Sequence, residues 1–271
     1  MMQVFLHLGF HKTATSSAQA FLHENRELIW PRAALALPGR MRAVSHAVFE
    51  HCFARNPRSA EAITAAMRAF LSGLTLGPKR RLIISAENLL GPMPLGLDAA
   101  PYPAAGESIS ALLAAFEMFD WPVEVTLYFS TRAQASWGES IWAHQARKDQ
   151  LVPFCEDLES FRAGLDQMPL RAQLARICAA LPGQKVVSHD VSEFASMRFG
   201  AGQPFVDFLS LPRDVQDQFV AVPARNVAPP RAVTEELIAL NRADLPDAEL
   251  AAAKHAVLQR AGLIAPEGET F

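Results

Sequence analysis

The sequence predicts an α/β fold, a three-layer sandwich around a central parallel sheet. Four short apolar runs have strand character, and segments of helical period separate them in strict alternation. That alternation favours parallel strand pairing with helices covering both faces of the sheet. At 271 residues the chain is long enough to bury a sizeable core and short enough for one domain.

Each element has its own local reason. Gln3–Leu8 is apolar except for Gln3 and His7, reads as a buried strand, and stops at Gly9. From Thr15 to Ile29 the period becomes helical, with Ala18, Phe21, Leu22 and Leu28 as the apolar stripe and Pro31 as the stop. A polar loop over Arg40–Ser45 leads to helical stretches at 46–54 and 59–73. Arg81–Ser85 is a second compact strand, ended by Ala86-Glu87-Asn88. After a Pro/Gly-rich connection at 91–106 come a helix at 107–119, the strand Val123–Phe129 and a helix at 133–147. A further helix over 159–180 ends at Leu181-Pro182-Gly183, and Lys185–Ser188 is the fourth strand. The tail is helical and alanine-rich except for the Pro-rich stretch 222–230. There is no internal repeat, so the reading is a single domain over 1–271 with loop insertions.

Composition narrows the function classes. With 50% apolar and 20% charged residues the chain is an ordinary globular protein. A net charge of −3 leaves no electrostatic footprint for nucleic acid or an anionic membrane, so an anionic ligand must be held by a local site. The cysteines Cys52, Cys155 and Cys178 are odd in number and far apart, with no metal-ligand spacing, and read as reduced thiols. No apolar run approaches the ~18 residues of a membrane span. The first apolar segment runs directly into a polar loop, unlike a signal peptide. A cytoplasmic protein is expected.

The strongest local signal is Gly9-Phe10-His11-Lys12-Thr13-Ala14-Thr15-Ser16-Ser17, between a strand and a helix. A glycine at a strand end lets the backbone turn and expose its N–H groups. The helix start adds unsatisfied N–H donors and a positive dipole end. Lys12 supplies a mobile cation, and the hydroxyls of Thr13, Thr15, Ser16 and Ser17 complete the donor set. The nucleoside triphosphatase P-loop has a longer spacing, with glycine directly before its lysine. Only two residues separate Gly9 from Lys12 here, and His11 precedes the lysine.

This strand-then-Gly-x-x-Lys-Thr-x-Thr-Ser run resembles the 5′-phosphosulfate loop of sulfotransferases that use PAPS (3′-phosphoadenosine 5′-phosphosulfate). The stretch His7 to Gln19 is similar to bacterial members. Ala14 stands where the family usually has glycine, and Ser16 where it often has threonine. If position 14 needs a positive φ, its alanine costs of order 1 kcal/mol or more. A second element of the family is an arginine at the end of a central strand with a serine eight residues later, which together grip the 3′-phosphate. Here Arg132 follows Val123–Phe129 and Ser140 stands at that offset. Weaker echoes are Ile141-Trp142-Ala143-His144-Gln145 and the Pro204–Leu209 stretch. The resemblance runs along most of the chain in order, with its specificity in the first two elements.

The resemblance implies a fold like that of the P-loop nucleoside triphosphate hydrolases and transfer of a sulfuryl group from PAPS to an acceptor hydroxyl, releasing 3′,5′-bisphosphoadenosine without a metal. The donor would be held by Gly9, His11, Lys12, Thr13, Ala14, Thr15, Ser16, Ser17, Arg132 and Ser140, with Lys12 stabilising the leaving oxygen. Such transfer needs a base for the acceptor proton. Glu87, just past the second strand at the same sheet edge, is the first candidate. His46 in Val44-Ser45-His46 is the second, since its ordinary pKa of about 6.5 suits a base. His11 reads as a loop-shaping neighbour of Lys12. Ala224–Ala228 with Arg231 is a further candidate phosphate loop. The acceptor, whether glycan, lipid head group or small metabolite, has no readable code, and oligomeric state is equally silent. A small-molecule P-loop kinase and a non-catalytic nucleotide-binding member remain the alternatives.

Overall fold

In a parallel sheet both faces are covered, so strands are continuously apolar rather than alternating. The strands of this chain obey that rule at the centre of the sheet and relax it at the edges. The structure, a computed structural model, describes residues 1–94, 101–166, 169–223 and 228–264. The chain runs through β1 (Met2–His7), α1 (Thr15–Glu24), α2 (Arg26–Ile29), β2 (Ala33–Ala36), α3 (Arg42–Ala54), α4 (Pro57–Ser72), β3 (Arg81–Ser85) and α5 (Ala105–Ala114). It continues through β4 (Val123–Thr131), α6 (Gln134–Arg147), α7 (Leu158–Asp166), α8 (Leu170–Ala180), β5 (Lys185–Asp190), α9 (Gln203–Leu209), α10 (Arg213–Gln216), α11 (Arg231–Arg242) and α12 (Asp247–Arg260).

These elements form two compact units. The first holds the whole sheet with α1 to α5 and α8 to α10, and the second holds α6, α7, α11 and α12. In the first unit the strand order is β2-β3-β1-β4-β5 and every pairing is parallel. One face of the sheet carries Phe5, Ile83 and Tyr128, buried against Ala18, Phe21 and Leu22 of α1 and Phe205, Val206 and Leu209 of α9. The other face carries Val4, Leu6, Leu82, Ile84, Leu127 and Phe129, all fully buried. That burial requires a covering layer, and α3, α4, α5 and α8 pack on one another in that sequence. The architecture is α/β, with a five-stranded all-parallel sheet flanked by helices, consistent with a three-layer sandwich.

Topology already marks a place for a ligand. From β1 the chain crosses towards β2 on one side, and from β4 towards β5 on the other. Adjacent strands with diverging connections leave a crevice at their carboxyl ends, where open α/β sheets bind ligands. The 9–17 loop follows β1, and Arg132 follows β4.

Three boundaries differ from the sequence expectation. Strand β2, Ala33-Ala34-Leu35-Ala36, is an edge strand whose alanines favour helix by propensity and are drawn into the sheet by pairing with β3. The helix expected over 15–29 breaks at Asn25. Its side chain donates to Phe21 O at 2.9 Å and Val220 O at 2.9 Å, and accepts from Val220 N at 2.8 Å. The helix expected over 159–180 ends at Asp166 and resumes at Leu170 behind Pro169, since a proline inside a helix removes a hydrogen bond and clashes with the preceding turn.

In the second unit Trp137 and Trp142 are fully buried, and the Trp142 indole donates to Glu156 O at 2.8 Å, so both serve its core. In the first unit Trp30 is 47% exposed, and Trp121 stacks on Phe119. Among the described residues, no helix is long and apolar enough to cross a membrane.

Candidate functional site

The 9–17 loop is tied to the sheet on both sides. Leu8 N donates to Tyr128 O at 3.0 Å, and Ala86 N donates to His7 O at 3.1 Å. Gly9 then passes through a gap that admits no side chain. A Cβ there would sit 2.7 Å from His7 Nε2, 2.9 Å from Thr15 Oγ1 and 3.0 Å from Ser130 Oγ. The glycine lets the backbone lie directly against three polar side chains.

Beyond Gly9 the backbone alternates in hand. Lys12 and Ala14 both have φ of 66°, while Thr13 between them does not have a positive φ. Alternation of this kind turns successive N–H groups towards one side and forms an anion-binding concavity. It continues into α1, whose cap residue Ala14 offers no side-chain hydrogen bond. Ser17 N donates to Ala14 O at 3.0 Å, and the N–H groups of Thr15 and Ser16 open the helix at the positive end of its dipole. Left-handed backbone at a residue with a Cβ is costly and persists where the surroundings impose it.

The hydroxyls divide their work. Thr13 Oγ1 donates to Phe10 O and meets Ser130 Oγ at 2.7 Å, so it braces the loop against β4. Thr15 Oγ1 is buried with no hydrogen-bond partner among the described residues. Ser16 is half-buried and Ser17 is buried. Arg132, also half-buried, donates from NH1 to Lys12 O at 3.3 Å, which brings the two sequence signals of the first unit together.

Glu87 belongs to this cluster: its Oε2 accepts from Gln19 Nε2 at 2.7 Å, joining the turn after β3 to the first turns of α1. His11 is 8% exposed and fully engaged at its ring. Its Nδ1 lies 2.9 Å from the Tyr102 hydroxyl, and its Nε2 lies 3.2 Å from Asn88 Oδ1. His46 stands apart from this network on α3, with a 78% exposed side chain whose Nε2 is 3.9 Å from Glu50 Oε1. Ser140 is buried on α6, in the second unit. Of the late candidate loop, residues 224–227 lie outside the described residues, and Arg231 pairs with Glu235 at 2.8 Å in the second unit.

Behind the loop, His7 closes β1. Its Nδ1 is 2.8 Å from Ser85 Oγ and its ring packs on Tyr128 at 4.8 Å between centroids. Burial pushes the imidazole down to about 3, so His7 is neutral over the ordinary pH range. Burial also raises the Tyr102 phenol, helped by the nearby Glu87 charge, so Tyr102 keeps its proton.

No family model matches this chain, and no curated protein matches it. Among the described residues, no three His, Cys, Asp or Glu side chains are grouped as a metal site.

Sequence reasoning missed four residues that hold this loop: Tyr102, Asn88, Ser130 and Gln19. Tyr102 carries a faint sequence signal, a lone aromatic between Pro101 and Pro103 in the Pro/Gly-rich connection. The others lie beside the candidate residues in sequence and show their role only through contacts.

The left-handed Ala14 makes a stability prediction. A side chain in that backbone region costs roughly 1–2 kcal/mol, and alanine is also a poor helix cap compared with glycine. Ala14→Gly is expected to stabilise the protein by about 1 kcal/mol, or roughly 2–4 °C in melting temperature. Thermal denaturation of the two proteins measures it.

Proposed function

We propose that this chain is a PAPS-dependent sulfotransferase with a fold of the P-loop nucleoside triphosphate hydrolase type. One observation carries the reading above the others: the glycine loop of alternating hand after β1 and the arginine after β4 meet at the topological crevice, 3.3 Å apart from Arg132 NH1 to Lys12 O. Two anion-holding groups at one sheet edge suit a donor with phosphates at both ends of its ribose.

In this reading the loop N–H groups and the start of α1 hold the 5′-phosphosulfate. Arg132 takes the 3′-phosphate through its planar fork, which donates two parallel hydrogen bonds. The acceptor oxygen attacks sulfur in line, and a new S–O bond forms. The S–O bond to the 5′-phosphate breaks, and its electron pair stays on the phosphate oxygen beside the Lys12 ammonium. Glu87 accepts the acceptor proton. What supports this choice is that Glu87 lies two residues past β3 and accepts a hydrogen bond from Gln19 of α1. His46 is the weaker candidate, because its side chain projects into solvent beside Glu50.

Calorimetric titration of 3′,5′-bisphosphoadenosine in the presence of EDTA tests the reading through Lys12→Ala and Arg132→Ala. A hydrogen bond to a charged group contributes about 1.5–3 kcal/mol, so each variant is expected to bind about 10- to 100-fold more weakly than wild type. Unchanged affinity in both variants would remove these residues from the site.

A further inference from the structure

Tyr102 meets His11 at both its backbone and its ring. His11 N donates to the Tyr102 hydroxyl at 3.1 Å, and the same oxygen lies 2.9 Å from His11 Nδ1. The two rings are parallel within 5°, with centroids 5.8 Å apart. One phenol oxygen thus meets both the backbone and the ring of one residue.

The proton positions follow from this pairing. The hydroxyl accepts from the His11 amide, and its single proton is then available to Nδ1, which must be bare to receive it. Nε2 carries the ring proton and faces Asn88 Oδ1, a pure acceptor, at 3.2 Å. All three contacts are satisfied with His11 as the Nε2–H tautomer.

Tyr102 itself is held under strain. Its φ is 52°, in the left-handed region, and it is only 3% exposed. Arg176 grips this backbone, donating to Tyr102 O at 2.9 Å and Pro101 O at 3.3 Å, while Gln173 accepts from the same guanidinium at 2.7 Å. Phe10, the other neighbour in the loop, packs on the Tyr102 ring at 5.3 Å. A strained, buried residue whose backbone carbonyl is held by the guanidinium of a surface arginine is the arrangement expected of a clamp.

We propose that Tyr102 is a positioning residue for the anion loop. Its hydroxyl locks the orientation and tautomer of His11 and takes the His11 amide out of the ligand-facing set. The anion is then met by the N–H groups that follow, and His11 neither donates nor accepts a proton in the reaction. This inference rests on the anion-site reading of the loop, and its test separates the two.

The test compares wild type, Tyr102→Phe and Asn88→Ala in two measurements. Nitrogen–proton NMR correlation on the ligand-free protein reads the tautomer of His11. Wild type is expected to show one Nε2–H tautomer, Tyr102→Phe a mixture, and Asn88→Ala the wild-type tautomer, since Tyr102 still occupies Nδ1. Titration with 3′,5′-bisphosphoadenosine is expected to show about 10-fold weaker binding for Tyr102→Phe, the loss that follows from removing the hydroxyl that accepts from the His11 amide. Where Tyr102→Phe fails to fold, Asn88→Ala decides: it keeps both Tyr102 contacts, so mixed His11 tautomers in that variant would assign the lock to Asn88 and overturn the proposal. A wild-type His11 in mixed tautomers overturns the clamp. So does an unchanged His11 signature in a folded Tyr102→Phe protein, whatever the nucleotide does. If wild type shows the single tautomer and binds no nucleotide, the clamp stands as a feature of the loop and the anion-site reading fails.

Discussion

The Glu87→Gln variant is expected to lose about 10²–10⁴-fold in turnover, the range that a positioned general base contributes. Its affinity for 3′,5′-bisphosphoadenosine is expected to stay within a fewfold of wild type. Glutamine keeps the length of the side chain and an oxygen that can still accept from Gln19, which now donates to Glu87 at 2.7 Å. The loop and α1 should therefore hold their places while the proton acceptor is gone. Release of the nucleotide product, followed with the acceptor that supports wild-type turnover, separates kcat from binding. His46→Ala, on the exposed side of α3, should leave turnover nearly unchanged. Full activity in Glu87→Gln together with loss in His46→Ala would reverse the two assignments.

Acid is expected to destabilise this fold through His7. The folded-state pKa is about 3 against an ordinary 6.5, and the cause is burial. The neutral form is the one the core accepts, so between those values the unfolded chain binds more protons than the folded one. Stability from this group is complete above the ordinary value and is lost as pH falls towards the folded one. Each pH unit below the ordinary pKa costs about 1.4 kcal/mol, so roughly 2 kcal/mol is lost by about pH 5. The full loss, reached near the folded pKa, is on the order of 5 kcal/mol. Chemical denaturation at a series of pH values should show this slope in wild type and a shallower one in His7→Gln, which has no proton to gain. Parallel curves for the two proteins would mean that other groups carry the acid sensitivity. His7 lies directly behind Gly9, so nucleotide binding is expected to fall along with stability.

Much of the site could be read because its signals are local. The apolar run before Gly9, the Lys12 and hydroxyl cluster, and the helical period after Thr15 are contiguous in sequence. The central strands β1 and β3 announced themselves by burial on both faces, which leaves a nearly continuous apolar run, while β4 and the edge strand β5 showed only shorter apolar stretches. Arg132 could be placed at the sheet edge once Val123–Phe129 was read as a strand. Ala14 could be flagged as a position of cost, and its φ of 66° matches the condition under which alanine is costly there.

The remainder depends on distance along the chain. Tyr102 reaches His11 across 91 positions, and Asn88 reaches it across 77. Neither contact has a periodicity or spacing that a sequence could display. The inward turn of the Thr13 hydroxyl follows from Ser130, 117 positions away. A hydroxyl that seemed a ligand donor is a brace for that reason. Strand β2 was invisible because three alanines and one leucine carry no period, and only its pairing with β3 makes it extended. Pro169 was in plain view, yet the alanine-rich helical pattern around it outweighed its stop signal.

The most direct test of the central claim is a single pair of titrations on the wild-type protein: 3′,5′-bisphosphoadenosine with EDTA present, and ATP with and without Mg²⁺. The account predicts metal-independent binding of the bisphosphate in the micromolar range, and much weaker binding of ATP under either condition. No binding of the bisphosphate, with ATP bound only when Mg²⁺ is restored, would contradict it and make the loop after β1 part of a kinase.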